Sequence, residues 1–154
     1  GGDIIRFLFS ANKNQPLQSV SEVASGGEIS RLMLSLKALI AHAMALPSIV
    51  FDEVDTGVSG EIADKMAGIM REMAECMQVI SITHLPQVAS LGQTHYRVYK
   101  SDTETSTATH LIKLSEKERI EEIARMLSGS SLTAAALDNA CELLKRNDLK
   151  DGKK

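Results

Sequence analysis

Asp52 and Glu53 stand side by side at the end of a short apolar run, "SIVFDEVDTG" at residues 48–57, with Asp55 and Gly57 just beyond. Adjacent carboxylates repel one another, and both lose hydration at the end of a buried strand, so the pairing asks for a compensating partner. A divalent cation and a water would answer it: one carboxylate holds the cation, and the next takes a proton from the water. Asp52 suits Mg²⁺, held largely through water because this ion dehydrates reluctantly. Glu53 suits a base that polarises water for attack on a γ-phosphate. The chemistry implied is phosphoanhydride hydrolysis. The same pair could simply cap a turn in solvent, so further parts must be sought along the chain.

Three further stretches bear on the choice. In "ASGGE", residues 24–28, Ser25 and Glu28 have the spacing of a capping box, in which each side chain closes the other's backbone N–H. Gly26 and Gly27 are poor helix formers, yet they leave a bare helix terminus whose N–H groups and positive dipole can meet an anion closely. Capping and phosphate binding are compatible there. His84 follows "SIT" at the end of another apolar run, and Asp55 sits in a Gly-containing turn.

These residues need elements to position them. "DIIRFLFSA" (3–11) alternates Ile5, Phe7 and Phe9 like a strand, and "NKNQPLQSVSEVA" reads as a polar loop. Ile29, Leu32, Met33, Leu36, Ile40 and Ala43 recur at helical spacing from Gly26 to about Ala45, before Pro47. "SIVF" and "QVISIT" (78–83) are continuous apolar runs, the pattern of strands buried on both faces. Between them a helix from about Ser59 carries Ile62, Met66, Ile69, Met70, Met73 and Met77 on one stripe, which reads as core filling.

Beyond His84, Pro86 opens a short helix to about Leu91. Segments 95–100 and 108–114 form an antiparallel hairpin, two helices follow at about 116–128 and 132–146, and 147–154 is a charged tail. Strands alternating with helices imply a mostly parallel sheet flanked by helices, with sites beyond the carboxyl ends of its strands. Asp52, Glu53 and His84 fall at such ends.

The 154 residues suit one domain, with a net charge of −3 that makes the whole chain no attractor for nucleic acid. Arg97, Lys100, Lys145 and Arg146 read as solvated charges. Only 3% of residues are aromatic, so Leu, Ile, Val, Met and Ala must build the core. Cys76 and Cys141, without a CxxC pattern, read as reduced, buried thiols. No run approaches the ~18 apolar residues of a membrane helix and no signal peptide is visible, which points to the cytosol and away from a membrane.

The order Ser-Gly-Gly-Glu, helix, "SIVFDE", "VDTG", strand, "TH" resembles the C-terminal lobe of a P-loop ABC-type ATPase head, over roughly residues 3–129. Ser25, Gly26, Gly27 and Glu28 match the signature motif, Ser48 to Glu53 the Walker B strand, Val54 to Gly57 with Asp55 the D-loop, and His84 the switch histidine. "SGGEISR", where a transporter subunit would carry Gln after the glycines, and "THLPQVAS" look closer to the RecN family of bacterial, SMC-like DNA double-strand-break repair proteins.

The resemblance implies ATP and Mg²⁺ between two heads. Asp52 would serve the metal, Glu53 and His84 catalysis. Ser25, Gly26, Gly27, Glu28 and Asp55 would serve the nucleotide, the signature residues acting on the partner's site. It implies a second head in an ATP-dependent dimer, DNA engaged through the intact protein, and a bacterial, nucleoid-associated location. A Walker A loop requires Gly-x-x-x-x-Gly-Lys-Ser/Thr. The only Gly-Lys is Gly152–Lys153, followed by Lys154. In the family that loop lies N-terminal to this region, so residues 1–146 are expected to be half a head, inactive without the other half. A transporter ATPase fragment and a non-catalytic dimerisation head are the alternatives.

Overall fold

The computed structural model of the chain describes residues 2–10, 13–14, 16–20, 26–44, 46–102, 106–129 and 131–151. They fall into two compact units, residues 1–83 and 84–154, where length alone suggests one.

In the first unit, β1 (Leu8–Phe9) pairs antiparallel with β2 (Gln18–Ser19). The strand expected over 3–11 is therefore two residues long, and the expected loop supplies its partner. The physical reason is exposure. Ile4, Ile5 and Phe7 are 84%, 78% and 71% exposed, and alternation makes a strand only where one face finds cover.

The helix α1 (Gly26–Met44) forms as its periodicity predicts. It buries Leu34 and Ala41, however, and leaves Ile29, Met33 and Ile40 exposed, because α1 is apolar around much of its circumference. β3 (Ser48–Asp52) and β4 (Gln78–Ile82) pair in parallel, from Ser48 opposite Gln78 to Asp52 opposite Ile82. A parallel pair requires a crossover, which α2 (Gly60–Met73) provides. Ala63, Met66, Ala67, Met70 and Met73 of α2 are buried, as is Met77 beyond it. The methionine stripe is thus core, while Ile62 is exposed and Ile69 only half-buried.

The pair β3–β4 is the one parallel ladder among the described residues, the other two being antiparallel, so the α/β class holds in a sheet less extensive than expected. Nor are these strands buried on both faces. Phe51 is 1% exposed, whereas Val50, Ile80 and Ile82 on the opposite face are exposed, and register places Asp52 with them.

In the second unit, Pro86 occupies the first turn of α3 (Pro86–Ala89). β5 (Tyr96–Asp102) and β6 (Thr107–Lys113) form the expected hairpin. α4 (Glu116–Ser128) starts on a capping box: Ser115 N–H donates to Glu118 Oε2 at 2.8 Å, and Glu118 N–H to Ser115 Oγ at 3.4 Å. α5 (Ala134–Asp151) runs on past Arg146. Ile123 and Ala124 of α4 pack with Ala136 and Ala140 of α5 in a core bordered by Ala89, Ile120 and Leu137. Arg97, expected as a solvated charge, is instead half-buried and meets Glu122 at 3.3 Å, tying the hairpin to α4.

Both cysteines are free, but Cys76 is exposed and Cys141 half-buried, correcting the reading of buried thiols. Cys76 lies in the exposed turn at residues 74–76, between buried Met73 and Met77. Among the described residues no helix is long and apolar enough to cross a membrane.

His95 sets a pH limit on the second unit. Burial, and then the Arg119 guanidinium, hold its pKa below the usual imidazole value, against the opposing pull of Glu122. The unfolded chain therefore binds the proton more readily than the folded one. The His95 contribution should be full above the unfolded value, about 6.5, and decline as pH falls towards the lower folded value. Urea unfolding between pH 5 and 8 should show this limb, and His95→Gln should flatten it.

Candidate functional site

The acid pair leaves the ladder through one further rung. Glu53 N–H donates to Ile82 O at 3.1 Å, beyond the last paired residues of β3 and β4. Glu53 then turns sharply, at φ +47°. For a residue with a Cβ, the left-handed region costs about 1–2 kcal/mol, so the surroundings must hold it there. The Glu53 carbonyl accepts from Thr56 N–H at 3.2 Å and from Thr56 Oγ1 at 2.9 Å. A second turn overlaps the first: Val58 N–H donates to Asp55 O at 3.1 Å, with Gly57 at φ +73°, a conformation that favours glycine.

The three acids are sorted by this turn. Asp52 and Glu53 are exposed to water at the carboxyl end of the parallel pair. Asp55 is 1% exposed, and its Oδ2 accepts a hydrogen bond from the Thr83 hydroxyl. Thr83 immediately follows β4, and His84, exposed, begins the second unit. Since β3 and β4 run in parallel and in register, the 53–57 turn and Thr83 leave the same end of the ladder.

The glycine-rich stretch approaches this turn from α1. A Cβ on Gly27 would lie 3.4 Å from the Thr56 carbonyl oxygen and 3.2 Å from Arg31 Nη1, so a bare backbone suits the approach. Gly26 opens the helix and Glu28 is half-buried. Ser25, and with it the capping box expected with Glu28, lies outside the described residues. A shallow groove of about 310 Å³ runs along α1, lined by Phe9, Glu28, Arg31, Leu32 and Ser35.

Two residues were missed by sequence reasoning, Thr56 and Thr83. Their hydroxyls bind the turn from within and from β4; the one available signal was their place inside "VDTG" and before the strand-end histidine. Among the described residues no three potential metal ligands cluster. A single exposed carboxylate such as Asp52 nonetheless fits hydrated Mg²⁺, which takes one or two protein carboxylates and completes its shell with water and phosphate oxygens.

No protein-family profile matches the chain. It is 44% identical over 144 residues to the DNA repair protein RecN of Vibrio cholerae, covering 94% of this chain and 26% of that protein. It is 44% identical over 148 residues to the DNA repair protein RecN of Bacillus subtilis, covering 96% and 26%. Over these residues, the chain is similar to RecN proteins. It spans about a quarter of the length of these RecN proteins.

Solved structures agree on the fold. An SMC ATPase studied for ATP-driven dimerization and DNA-stimulated activation matches with a TM-score of 0.57 at 16% identity, over 77% of this chain and 70% of that one. The SMC head domain of Thermotoga maritima matches with a TM-score of 0.50 at 23% identity, over 66% and 36%. The chain therefore has the lobe fold of an ABC-type, SMC-like head.

The left-handed turn gives an expectation for Glu53 apart from any activity. Glu53→Asn, which tolerates this conformation, should leave the urea midpoint unchanged or raise it. Glu53→Val, β-branched, should lower stability by about 1–2 kcal/mol. Equal midpoints for the two variants would contradict the turn geometry.

Proposed function

We propose that this chain is the signature and Walker B part of a RecN-type ATPase that uses ATP binding and hydrolysis in repair of DNA double-strand breaks. The observation that carries the reading is the exposed Asp52–Glu53 pair at the end of a parallel ladder, in a chain 44% identical to a DNA repair protein. In this reading Asp52 holds Mg²⁺ through water, and Glu53 accepts a proton from the attacking water. Bound there, the ion offsets charge on the β- and γ-phosphates. Ser25, Gly26, Gly27 and Glu28 present backbone N–H groups and a helix terminus to the nucleotide of a second head.

The β- and γ-phosphates need a cradle, and we assign it to the part of a RecN-length protein that lies outside this segment. The exposed apolar residues Ile4, Ile5, Phe7, Val50, Ile80 and Ile82 support that assignment, since a face of this kind is covered in an intact head. ATP then joins two heads, hydrolysis releases them, and DNA is engaged through the assembled protein, in the bacterial cytoplasm at the nucleoid.

Phosphoryl transfer depends almost wholly on positioning and charge neutralisation, so a base without the cradle has little to act on. The segment alone should release no phosphate above buffer and bind nucleotide weakly. In the RecN-length protein, Glu53→Gln should reduce turnover by about 10² or more while ATP still joins the heads. Steady-state phosphate release and nucleotide-dependent sedimentation check both statements. Turnover by the segment that disappears with Glu53→Gln would overturn the half-head assignment.

A further inference from the structure

We propose that Asp55 and Thr83 form a positioning pair for Glu53, fixing the turn that carries the base against the end of β4. The inference rests on the reading of Glu53 as the base and adds two residues to it. Its starting point is the burial of Asp55. A carboxylate placed two residues beyond a strand end could cap that turn in water at little cost, yet Asp55 is 1% exposed. Burying it is costly unless it is hydrogen-bonded, and its Oδ2 takes the Thr83 hydroxyl.

The partner's place explains what the bond does. Ile82 O receives Glu53 N–H at 3.1 Å, and Thr83 is the next residue. Segment 53–55 is thus fastened to segment 82–83 at two successive points, one through the main chain and one through side chains. A single rung would let the turn pivot about it, and a strained φ of +47° at Glu53 would relax by such a pivot. The second bond removes that freedom. Thr56 completes the frame from inside, with two hydrogen bonds to the Glu53 carbonyl. The Asp55–Thr83 bond also anchors the residue to which His84 is covalently joined.

The pair does not touch the reacting atoms in this reading. Its effect is on where the Glu53 carboxylate stands, and a displacement of about 1 Å can cost about 10²-fold in rate.

The test uses the RecN-length protein, with kcat and KM for ATP and the urea midpoint measured for each variant. Thr83→Val keeps the volume and removes the hydroxyl. It should lower kcat by about 10- to 100-fold with KM within about 2-fold. Thr83→Ser, which keeps the hydroxyl, should recover most of that loss. Combined with Glu53→Gln, Thr83→Val should add little further loss, because a positioning residue acts through the base it positions. Asp55→Ala removes the acceptor for Thr83 and should lower kcat about as far as Thr83→Val, with KM within about 2-fold, a readout that stands even where Thr83→Val fails to fold.

Full turnover in Thr83→Val, or a loss that multiplies with that of Glu53→Gln, would overturn the pair while leaving Glu53 as the base. So would full turnover in Asp55→Ala. Turnover indifferent to Glu53→Gln would overturn the base assignment itself, and the positioning pair with it.

Discussion

The structure of the site depends on the last rung of a two-stranded parallel ladder. Glu53 N–H on Ile82 O is the point where pairing stops and the chain leaves β3 for a left-handed turn. The acids of the proposed site are arranged about that rung. It separates exposed Asp52 and Glu53 from buried Asp55, and it brings the turn level with Thr83 at the end of β4. Parallel strands emerge at the same end, which is why a helical crossover through α2 is needed to place two strand ends side by side.

A second dependence runs from the turn to α1. Gly27 lies close to the Thr56 carbonyl, and the Thr56 hydroxyl holds Glu53. The glycine-rich helix terminus and the acid pair are therefore one structural piece, separated by a single residue. In the proposed two-headed assembly, the acid pair would face one nucleotide and the glycines the other. A Cβ at Gly27 would meet the Thr56 carbonyl oxygen at 3.4 Å, an ordinary van der Waals contact.

Periodicity made α1, α2, α4 and the β5–β6 hairpin legible, because each carries its own local pattern of apolar spacing. The acid pair was legible by chemistry, since few reasons exist to set two carboxylates at a strand end. Other features were not. The strand expected over 3–11 shrinks to Leu8–Phe9, because alternation records a wish to be covered and Ile4, Ile5 and Phe7 are not. Val50, Ile80 and Ile82 likewise carry the apolar signature of two-sided burial on a face that is open here. Sequence records what a residue is suited to meet, and the partner of that face is not among the described residues. The inward turn of Asp55 was hidden for a different reason. A carboxylate in a glycine-containing turn looks the same whether it faces water or a threonine hydroxyl 28 residues away in the chain.

The ladder and its last rung hold Glu53 in place without any ligand. Amide hydrogen exchange at Glu53 tests this most directly. The Glu53 amide, though its side chain is exposed, should be protected to the level of the β3 amides around Phe51. Exchange at the rate of an unstructured loop, with the β3 amides protected, would contradict it.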